Sequence, residues 1–180
     1  MIANKTKQRA PATVKKAATA TIRILVNDLC SEDGLVRVRA RKRLVALGNQ
    51  AVRPLKKLLA SKREWVRWEA AKALGQIGDP AAARALIKAL EDNLFDVRWL
   101  AAEGLIYMGK SALVPLLQAI RERPDSFWLR EGVHHVLHDI NNRKITEIIR
   151  PVIMALESFE PSVEAPPAIE RALEALKNNT

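Results

Sequence analysis

The stretch VRWEAAKALGQIG, residues 66–78, decides the fold because it recurs along the chain at a nearly constant spacing. Segments 36–48 (VRVRARKRLVALG), 97–109 (VRWLAAEGLIYMG) and 129–141 (LREGVHHVLHDIN) align with it without gaps. Their starts are 30, 31 and 32 residues apart, and the second position is Arg in all four copies. Such a period is typical of stacked helical repeats.

Each copy has the pattern of an amphipathic α-helix. Apolar residues occupy positions 1, 5, 9 and 12, which in the copy at 66–78 are Val66, Ala70, Leu74 and Ile77. This spacing places them in one stripe along a helix. Gly48, Gly78 and Gly109 follow the stripe, where a left-handed C-cap is expected, and the fourth copy has Asn141 there.

A second helix is predicted after each copy, at Ala51–Ala60, Pro80–Leu90, Ser111–Ile120 and Thr146–Leu156. Asp79 before Pro80 is typical of an N-cap followed by Pro in the first turn. A single pair of such helices cannot bury its apolar face, so the pairs must stack. The sequence therefore predicts an all-α, right-handed α-solenoid (superhelix) of about four helical hairpins.

The two ends of the chain depart from the repeat. We expect residues 1–12 to be a disordered basic tail, residues 13–30 a capping helix, and residues 161–180 a second cap with its helix at Ala168–Lys177. Between the caps, residues 31–160 divide into hairpins at 31–60, 61–92, 93–123 and 124–160.

The residues quoted resemble the HEAT-like repeats named after the phycobilisome lyases. The likeness lies in the VRxxAxxALGxIG helix, the period and the AVRPLKKLL second helix at 51–59, and it covers roughly residues 31–158. Relatives of this repeat include bilin lyase subunits, metal-dependent hydroxylases and binding scaffolds, so the resemblance implies the fold more than one function. The hydroxylases carry His-Glu pairs as metal ligands, and this sequence has no His-Glu dipeptide, which excludes that branch. The family also often has Asp before the Val-Arg pair, and here only Asp96 takes that place.

The charge is concentrated in the first third of the chain. Residues 1–60 contain 14 Lys and Arg against 3 Asp and Glu, whereas residues 61–180 contain 16 against 17. This asymmetry indicates either an acidic partner or a solvated face with a basic tail. The single cysteine, Cys30, excludes an internal disulfide and fits a reducing compartment, so we expect a cytoplasmic monomer. No apolar run approaches the ~20 residues of a membrane span.

Two sets of residues are candidates for binding a partner. Trp is enriched at binding hot spots, and the first set is Trp65, Trp68, Trp99 and Trp128, for which packing between helix starts is the alternative. The second set is basic and lies on the second helices, where such arrays usually bind: Arg53, Lys56, Lys57, Arg84, Lys88 and Arg121. These side chains, with the run RVRARKR at 37–43, suit a phosphate backbone or an acidic protein segment, unless they form a merely solvated face.

The recurring arginines at position 2 predict a structural ladder that bonds neighbouring repeats, and they are Arg37, Arg67, Arg98 and Arg130. His134 and His138, four residues apart on one helix face, are the only candidates for metal ligands, and they lack a third ligand. We found no catalytic motif and expect neither a cofactor nor a metal.

These observations favour a non-catalytic scaffold or adaptor that binds a protein or peptide partner on its concave face. The first alternative is a nucleic-acid-binding protein with a basic concave groove, whose enzymatic form would resemble the helical-repeat DNA glycosylases. The second is a bilin lyase or chromophore chaperone, as the resemblance implies.

Overall fold

The structure is a computed structural model that describes residues 12–140 and 143–178, with side chains from residues 18 and 144 onward in the two segments. Residues 1–11, for which a disordered tail is expected, lie outside the described residues, as does Asn141. All the regular secondary structure of the described residues is helical, and the helices pack side by side in an array. The prediction of an α-solenoid is therefore confirmed.

Ten α-helices make up the described residues. They are α1 (Ala12–Leu29), α2 (Gly34–Ala46), α3 (Asn49–Leu58), α4 (Glu64–Ile77), α5 (Ala83–Ala89), α6 (Phe95–Met108), α7 (Lys110–Glu122), α8 (Phe127–Asp139), α9 (Arg143–Leu156) and α10 (Pro161–Asn178). A 3₁₀ turn at Pro80–Ala82 precedes α5, and Asp79 caps it by accepting a hydrogen bond from the N–H of Ala81 at 2.8 Å.

The helices form two layers. The four copies of the repeat are α2, α4, α6 and α8, and each packs against the next to form the first-helix layer. In the second-helix layer, α1 contacts α3, α3 contacts the turn before α5, and α5 packs against α7. The core between the layers is almost wholly aliphatic, and Leu74, Leu86, Leu105 and Leu116 are each 0% exposed. Burying this surface is the main force that holds the stack together.

The last two helices reverse the order of the array. α9 packs against α8 and so extends the first-helix layer, while α10 packs against both α7 and α9 and extends the second-helix layer. Arg121 of α7 pairs with Glu170 of α10 at 2.8 Å. Residues 124–160 thus contain two contacting helices, α8 and α9, but α9 does not take the second-helix position expected for Thr146–Leu156. The second-helix position beside α7 belongs instead to the helix expected to be only a terminal cap.

Glycine geometry explains why the chain changes layer after α2 and α6. Gly109 (φ 55°, ψ −130°) is both the C-cap residue of α6 and the N-cap residue of α7. Gly48 (φ 58°, ψ −131°) follows Leu47, the C-cap residue of α2, and is the N-cap residue of α3. Residues with a Cβ rarely adopt this conformation. Only Gly78 (φ 66°, ψ 17°) has the left-handed helical C-cap predicted for all three glycines.

The fourth copy lacks this turn. Ile140 leaves α8 with extended backbone (φ −70°, ψ 104°), and no glycine stands between α8 and α9. The chain then continues within the first-helix layer, where α9 packs against α8.

The C-terminal helix also begins earlier than expected. It starts at Pro161 and contains Pro166 and Pro167, whereas the sequence predicts a helix only from Ala168. Proline inside a helix removes a backbone hydrogen bond. Here Ala165 is 1% exposed and Ile169 0% exposed, so burial of this segment outweighs the cost of the two prolines.

Candidate partner-binding site

A cleft of about 360 Å³ opens on the first-helix layer between α6 and α8. It exists because the facing side chains are small here. At the equivalent place between α2 and α4 the gap is filled by Arg41 and Glu69, whereas between α6 and α8 it faces Ala102 and Gly132. The floor is Leu90, and a Cβ on Gly132 would lie 2.9 Å from its Cδ2 atom.

Four aromatic side chains line this cleft, which we call the aromatic cleft. Phe95 and Trp99 come from α6, and Phe127 and Trp128 come from α8. Trp99 and Trp128 are each 47% exposed, although each has a large apolar surface. Exposed aromatic residues grouped around a concavity are typical of surfaces that bind another molecule.

Arg98 supplies the positive charge at the edge of the aromatic cleft. Its guanidinium lies 3.8 Å from the centre of the Trp128 ring, and Nη1 donates to the carbonyl oxygen of Asp92 at 2.8 Å. Within the described residues Arg98 forms no ion pair with a carboxylate. An unpaired guanidinium held against an aromatic face is suited to accept a carboxylate from a ligand.

The position-2 arginines share one contact that the sequence did not specify. Each donates from Nη1 to the carbonyl oxygen six residues before it, in the turn that leads into its own helix. The pairs are Arg37 with Ser31, Arg67 with Ser61, Arg98 with Asp92 and Arg130 with Pro124, at 3.0, 3.0, 2.8 and 3.5 Å. These bonds satisfy backbone carbonyl groups of the turns between consecutive helices.

The same arginines differ in their acidic partners. Arg67 binds both carboxylate oxygens of Asp92, at 2.7 and 3.0 Å, and this hydrogen bonding raises the pKa of the guanidinium. Arg37 approaches Glu69 of the next repeat at 3.6 Å. Arg98 and Arg130 have no carboxylate partner among the described residues. All four arginines therefore bond a backbone carbonyl, but only Arg37 and Arg67 also lie beside a carboxylate.

Sequence reasoning missed a buried ion pair between α2 and α4. Arg41 is 8% and Glu69 3% exposed, and Arg41 Nε lies 3.1 Å from Glu69 Oε2. Burial raises the pKa of Glu69, and the nearby charges of Arg41, Arg37 and Lys72 lower it by less. The sequence signal for this pair was the opposite charges of Arg41, at position 6 of the first copy, and Glu69, at position 4 of the second.

Trp65 and Trp68 lie one repeat away from the aromatic cleft, on α4. Trp68 is half-buried against the core, with the guanidinium of Arg41 at 5.7 Å and the Lys72 ammonium at 4.4 Å from its ring centre. Trp65 is 38% exposed and is covered in part by Arg63. The four tryptophans therefore do not form one surface, and Trp99 and Trp128 are the pair that the fold brings together.

The basic candidates lie in the second-helix layer, away from the aromatic cleft. Lys56 donates to the carbonyl oxygen of Ala81 at 3.0 Å, and Arg121 is paired with Glu170. Of the six candidates, the exposed side chains with neither a side-chain hydrogen bond nor an ion pair to the described residues are Arg53, Lys57, Arg84 and Lys88. The groove between α5 and α7 beside Arg84 and Lys88 also contains Glu91 and Glu122. Among these six candidates the exposed and unpaired side chains thus lie on α3 and α5, while Arg39, Lys42 and Arg43 of the 37–43 run are exposed on α2.

The histidines of α8 face in two directions. His135 stacks on Trp99, with ring centres 4.8 Å apart, and belongs to the aromatic cleft. His134 and His138 lie on another side of α8, where His134 Nε2 is 2.7 Å from Glu157 Oε1. The fold thus brings a third potential ligand to the pair of histidines that the sequence singles out.

Cys30 lies half-buried after α1. Burial raises the pKa of its thiol, and the nearby Arg63 lowers it by less, so the reactive thiolate is disfavoured. None of the helices that the structure describes is long and apolar enough to cross a membrane.

The two layers of stacked hairpins and the recurring arginine contacts define the class of protein, an α-solenoid of short helical repeats. A sequence profile described as HEAT repeats matches residues 22–106. The chain is therefore an α-solenoid in which residues 22–106 match HEAT repeats, and the resemblance to the HEAT-like repeats of phycobilisome lyases that the sequence predicts is confirmed.

Two similar proteins illustrate this relationship. The chain is 44% identical over 55 residues to the phycocyanobilin lyase subunit alpha of Picosynechococcus sp. PCC 7002, a match that covers 31% of this chain and only 20% of that protein. It is also similar to a chain in the structure of the complex of CpcE and CpcF of phycocyanin lyase from Nostoc sp. PCC7120. The TM-score is 0.57 at 22% identity, covering 88% of this chain and 99% of that one. At this identity the structural likeness shows the fold alone.

Proposed function

We propose that the protein is a non-catalytic scaffold that binds a segment of a protein partner in the aromatic cleft. The observation that carries this proposal is the cleft itself, where exposed Trp99 and Trp128 flank a concavity beside the unpaired guanidinium of Arg98. Repeat solenoids bind their partners on extended surfaces of this kind. The proposal moves the binding surface from the second helices, where the sequence suggests it, to the first-helix layer.

The chemistry of the cleft indicates the chemistry of the partner. The aromatic walls suit one large apolar side chain, and Arg98 suits a carboxylate close to it. Glu131 also lines the cleft and disfavours a second negative charge. We therefore expect a segment in which Trp, Phe or Leu stands next to a single Asp or Glu.

Selection of displayed random peptides, followed by titration of the selected peptides, tests this function. The double variant Trp99→Ala, Trp128→Ala should weaken binding by more than about tenfold, because central aromatic anchors dominate such interfaces. The matched control is Trp65→Ala, since Trp65 occupies the same repeat position on α4 as Trp128 on α8 but lies outside the cleft. Peptides that lack the apolar–acidic pattern, or that bind the double variant as well as the wild type, would contradict the proposal.

A second candidate is the handling of a linear tetrapyrrole. The observation that favours it is the 44% identity to a phycocyanobilin lyase subunit over 55 residues, together with a cleft that combines aromatic walls and an arginine. Biliverdin titrated into the protein should then change its absorbance spectrum saturably, and Arg98→Leu should weaken the effect, because the arginine would pair with a propionate. An unchanged spectrum at all concentrations would remove this candidate and leave the peptide-binding proposal untouched.

A further inference from the structure

Three potential metal ligands converge where α9 lies beside α8. His134 and His138 are four residues apart on α8, and Glu157 follows the last residue of α9. His134 Nε2 lies 2.7 Å from Glu157 Oε1, and the two imidazole ring centres are 5.5 Å apart. One ligand atom from each residue can be chosen so that all three lie within 4.8 Å of one another.

These distances are close to those of a bound ion. Zn–N and Zn–O distances of about 2.0–2.2 Å place neighbouring ligand atoms of a tetrahedral site about 3.3 Å apart. His134 is half-buried, while His138 and Glu157 are exposed, so the last two side chains can rotate without disturbing the core. A change of about 1.5 Å at an exposed imidazole is enough to bring the ligand atoms to the spacing of a tetrahedral site.

We propose that His134, His138 and Glu157 form a binding site for a divalent transition metal ion of the Zn²⁺ class. Two imidazole nitrogens and one carboxylate oxygen favour Zn²⁺, Co²⁺ or Ni²⁺ over Mg²⁺ and Ca²⁺, which prefer all-oxygen ligands. Three protein ligands leave the fourth position of a tetrahedral site to water or to a donor from a partner. The site lies outside the aromatic cleft and is independent of the function proposed above.

The place of the site in the fold suggests what the ion does. It joins α8 to α9 at the one junction where the chain stays within the first-helix layer. In the earlier repeats the glycine turns and the close packing of neighbouring first helices fix this relationship. A bound ion stabilises the folded arrangement in proportion to its affinity, because the unfolded chain does not hold the three ligands together. The ion therefore acts as a clamp on the C-terminal hairpin.

The contact between His134 and Glu157 is also expected of an ordinary ion pair without a metal ion. His138 is therefore the residue that distinguishes a metal site from an ion pair. Among the described residues His138 forms no hydrogen bond or ion pair, and its ring lies beside that of His134. His138→Ala removes a metal ligand and leaves the hydrogen bond between His134 and Glu157 in place. If the cluster is only an ion pair, this variant behaves as the wild type does.

The test uses untagged, EDTA-treated full-length protein titrated with Zn²⁺ by calorimetry and with Co²⁺ by visible absorption. We expect one ion per chain, a cobalt spectrum typical of a four-coordinate site, and a rise in the midpoint of thermal unfolding on adding Zn²⁺. His138→Ala should weaken Zn²⁺ binding at least tenfold and abolish the thermal shift, as expected for losing a direct ligand. His135→Ala is the matched control, since its side chain faces Trp99, and it should bind Zn²⁺ as the wild type does.

Two outcomes overturn the proposal. One is the absence of saturable Zn²⁺ or Co²⁺ binding to the wild type. The other is equal binding by the wild type and His138→Ala, which would assign the ion to other surface groups.

Discussion

Glu69 is the residue whose environment departs most from what its sequence position suggests. It occupies the fourth position of the repeat on α4, where the other copies have Arg39, Leu100 and Gly132. Stacking brings it against Arg41 and Arg37 of α2, and Oε2 accepts no hydrogen bond from the described residues. Burial therefore raises its pKa even though cations surround it, and a buried ion pair of this kind is not in itself stabilising.

This residue gives a prediction about pH. Because the folded-state pKa of Glu69 is raised, the stability gained by protonating it is fully present below the ordinary glutamate pKa of about 4.3 and is lost as the pH rises through the folded value. The free energy of unfolding of the wild type relative to Glu69→Gln should therefore be larger near pH 4 than near pH 7. Urea unfolding of both proteins across this range measures the difference. A difference that grows as the pH rises would mean that attraction by Arg41 and Arg37 outweighs burial.

At the scale of the helices, the stack depends on close contact between α4 and α6. Gly75 and Gly104 face each other across this interface, and a Cβ built on Gly104 lies 2.8 Å from Gly75 Cα and 3.0 Å from Leu86 Cδ1. The first of these is a backbone atom, so a larger residue forces the helices apart. The glycines thus allow the tightest approach in the first-helix layer, where the preceding interface between α2 and α4 contains long charged side chains.

This contact reverses the usual effect of replacing glycine in a helix. At an unhindered helical position Gly→Ala stabilises a protein by roughly 0.5–1 kcal/mol. We expect Gly104→Ala to destabilise it by about 1–3 kcal/mol, because the added methyl group overpacks the interface. Urea unfolding measures the change, and Gly34→Ala is the control, since a Cβ there meets only Arg37 Nη2 at 3.5 Å. Equal stability of Gly104→Ala and the wild type would show that α4 and α6 separate easily.

At the scale of the whole molecule, the basic candidates of the second helices and the aromatic cleft lie in different layers. Arg53, Lys57, Arg84 and Lys88 are exposed in the second-helix layer, whereas the aromatic cleft lies in the first-helix layer between α6 and α8. Glu91 and Glu122 lie beside Arg84 and Lys88, and their negative charges would repel a nucleic-acid phosphate. Binding of nucleic acid there requires the attraction by the basic side chains to exceed this repulsion. The basic candidates of the second helices therefore lie outside the aromatic cleft, and the nucleic-acid alternative can be tested separately.

We expect oligonucleotide binding to be weak and confined to low salt. The four unpaired cations of α3 and α5 release few counterions when they contact phosphates. The logarithm of affinity should therefore fall with the logarithm of salt concentration with a slope of about −0.9 for each cation that contacts a phosphate. Tryptophan fluorescence titrated with single- and double-stranded oligonucleotides at low and physiological salt measures this. Saturable binding that persists at physiological salt, and that is lost in Arg84→Ala, Lys88→Ala, would place nucleic acid ahead of a protein partner.

The sequence by itself determined the repeat, the α-solenoid and the start of each first helix to within about two residues, because these follow from local properties. The apolar period specifies a helix face, and glycine specifies the positive φ at which the helix ends. The sequence also identified Trp99 and Trp128 as unusual, and His134 with His138 as a ligand pair, since both observations need only positions within one helix.

Only the tertiary structure decided which of these residues meet. Trp99 and Trp128 share a cleft because Ala102 and Gly132 are small on the facing sides of α6 and α8, a property of two helices rather than one. The order of α9 and α10 depends on which layer buries each helix, and Glu157 joins the histidines only as a result of that order. Contacts between residues far apart in the chain depend on packing over the whole array, and a local pattern does not contain that information.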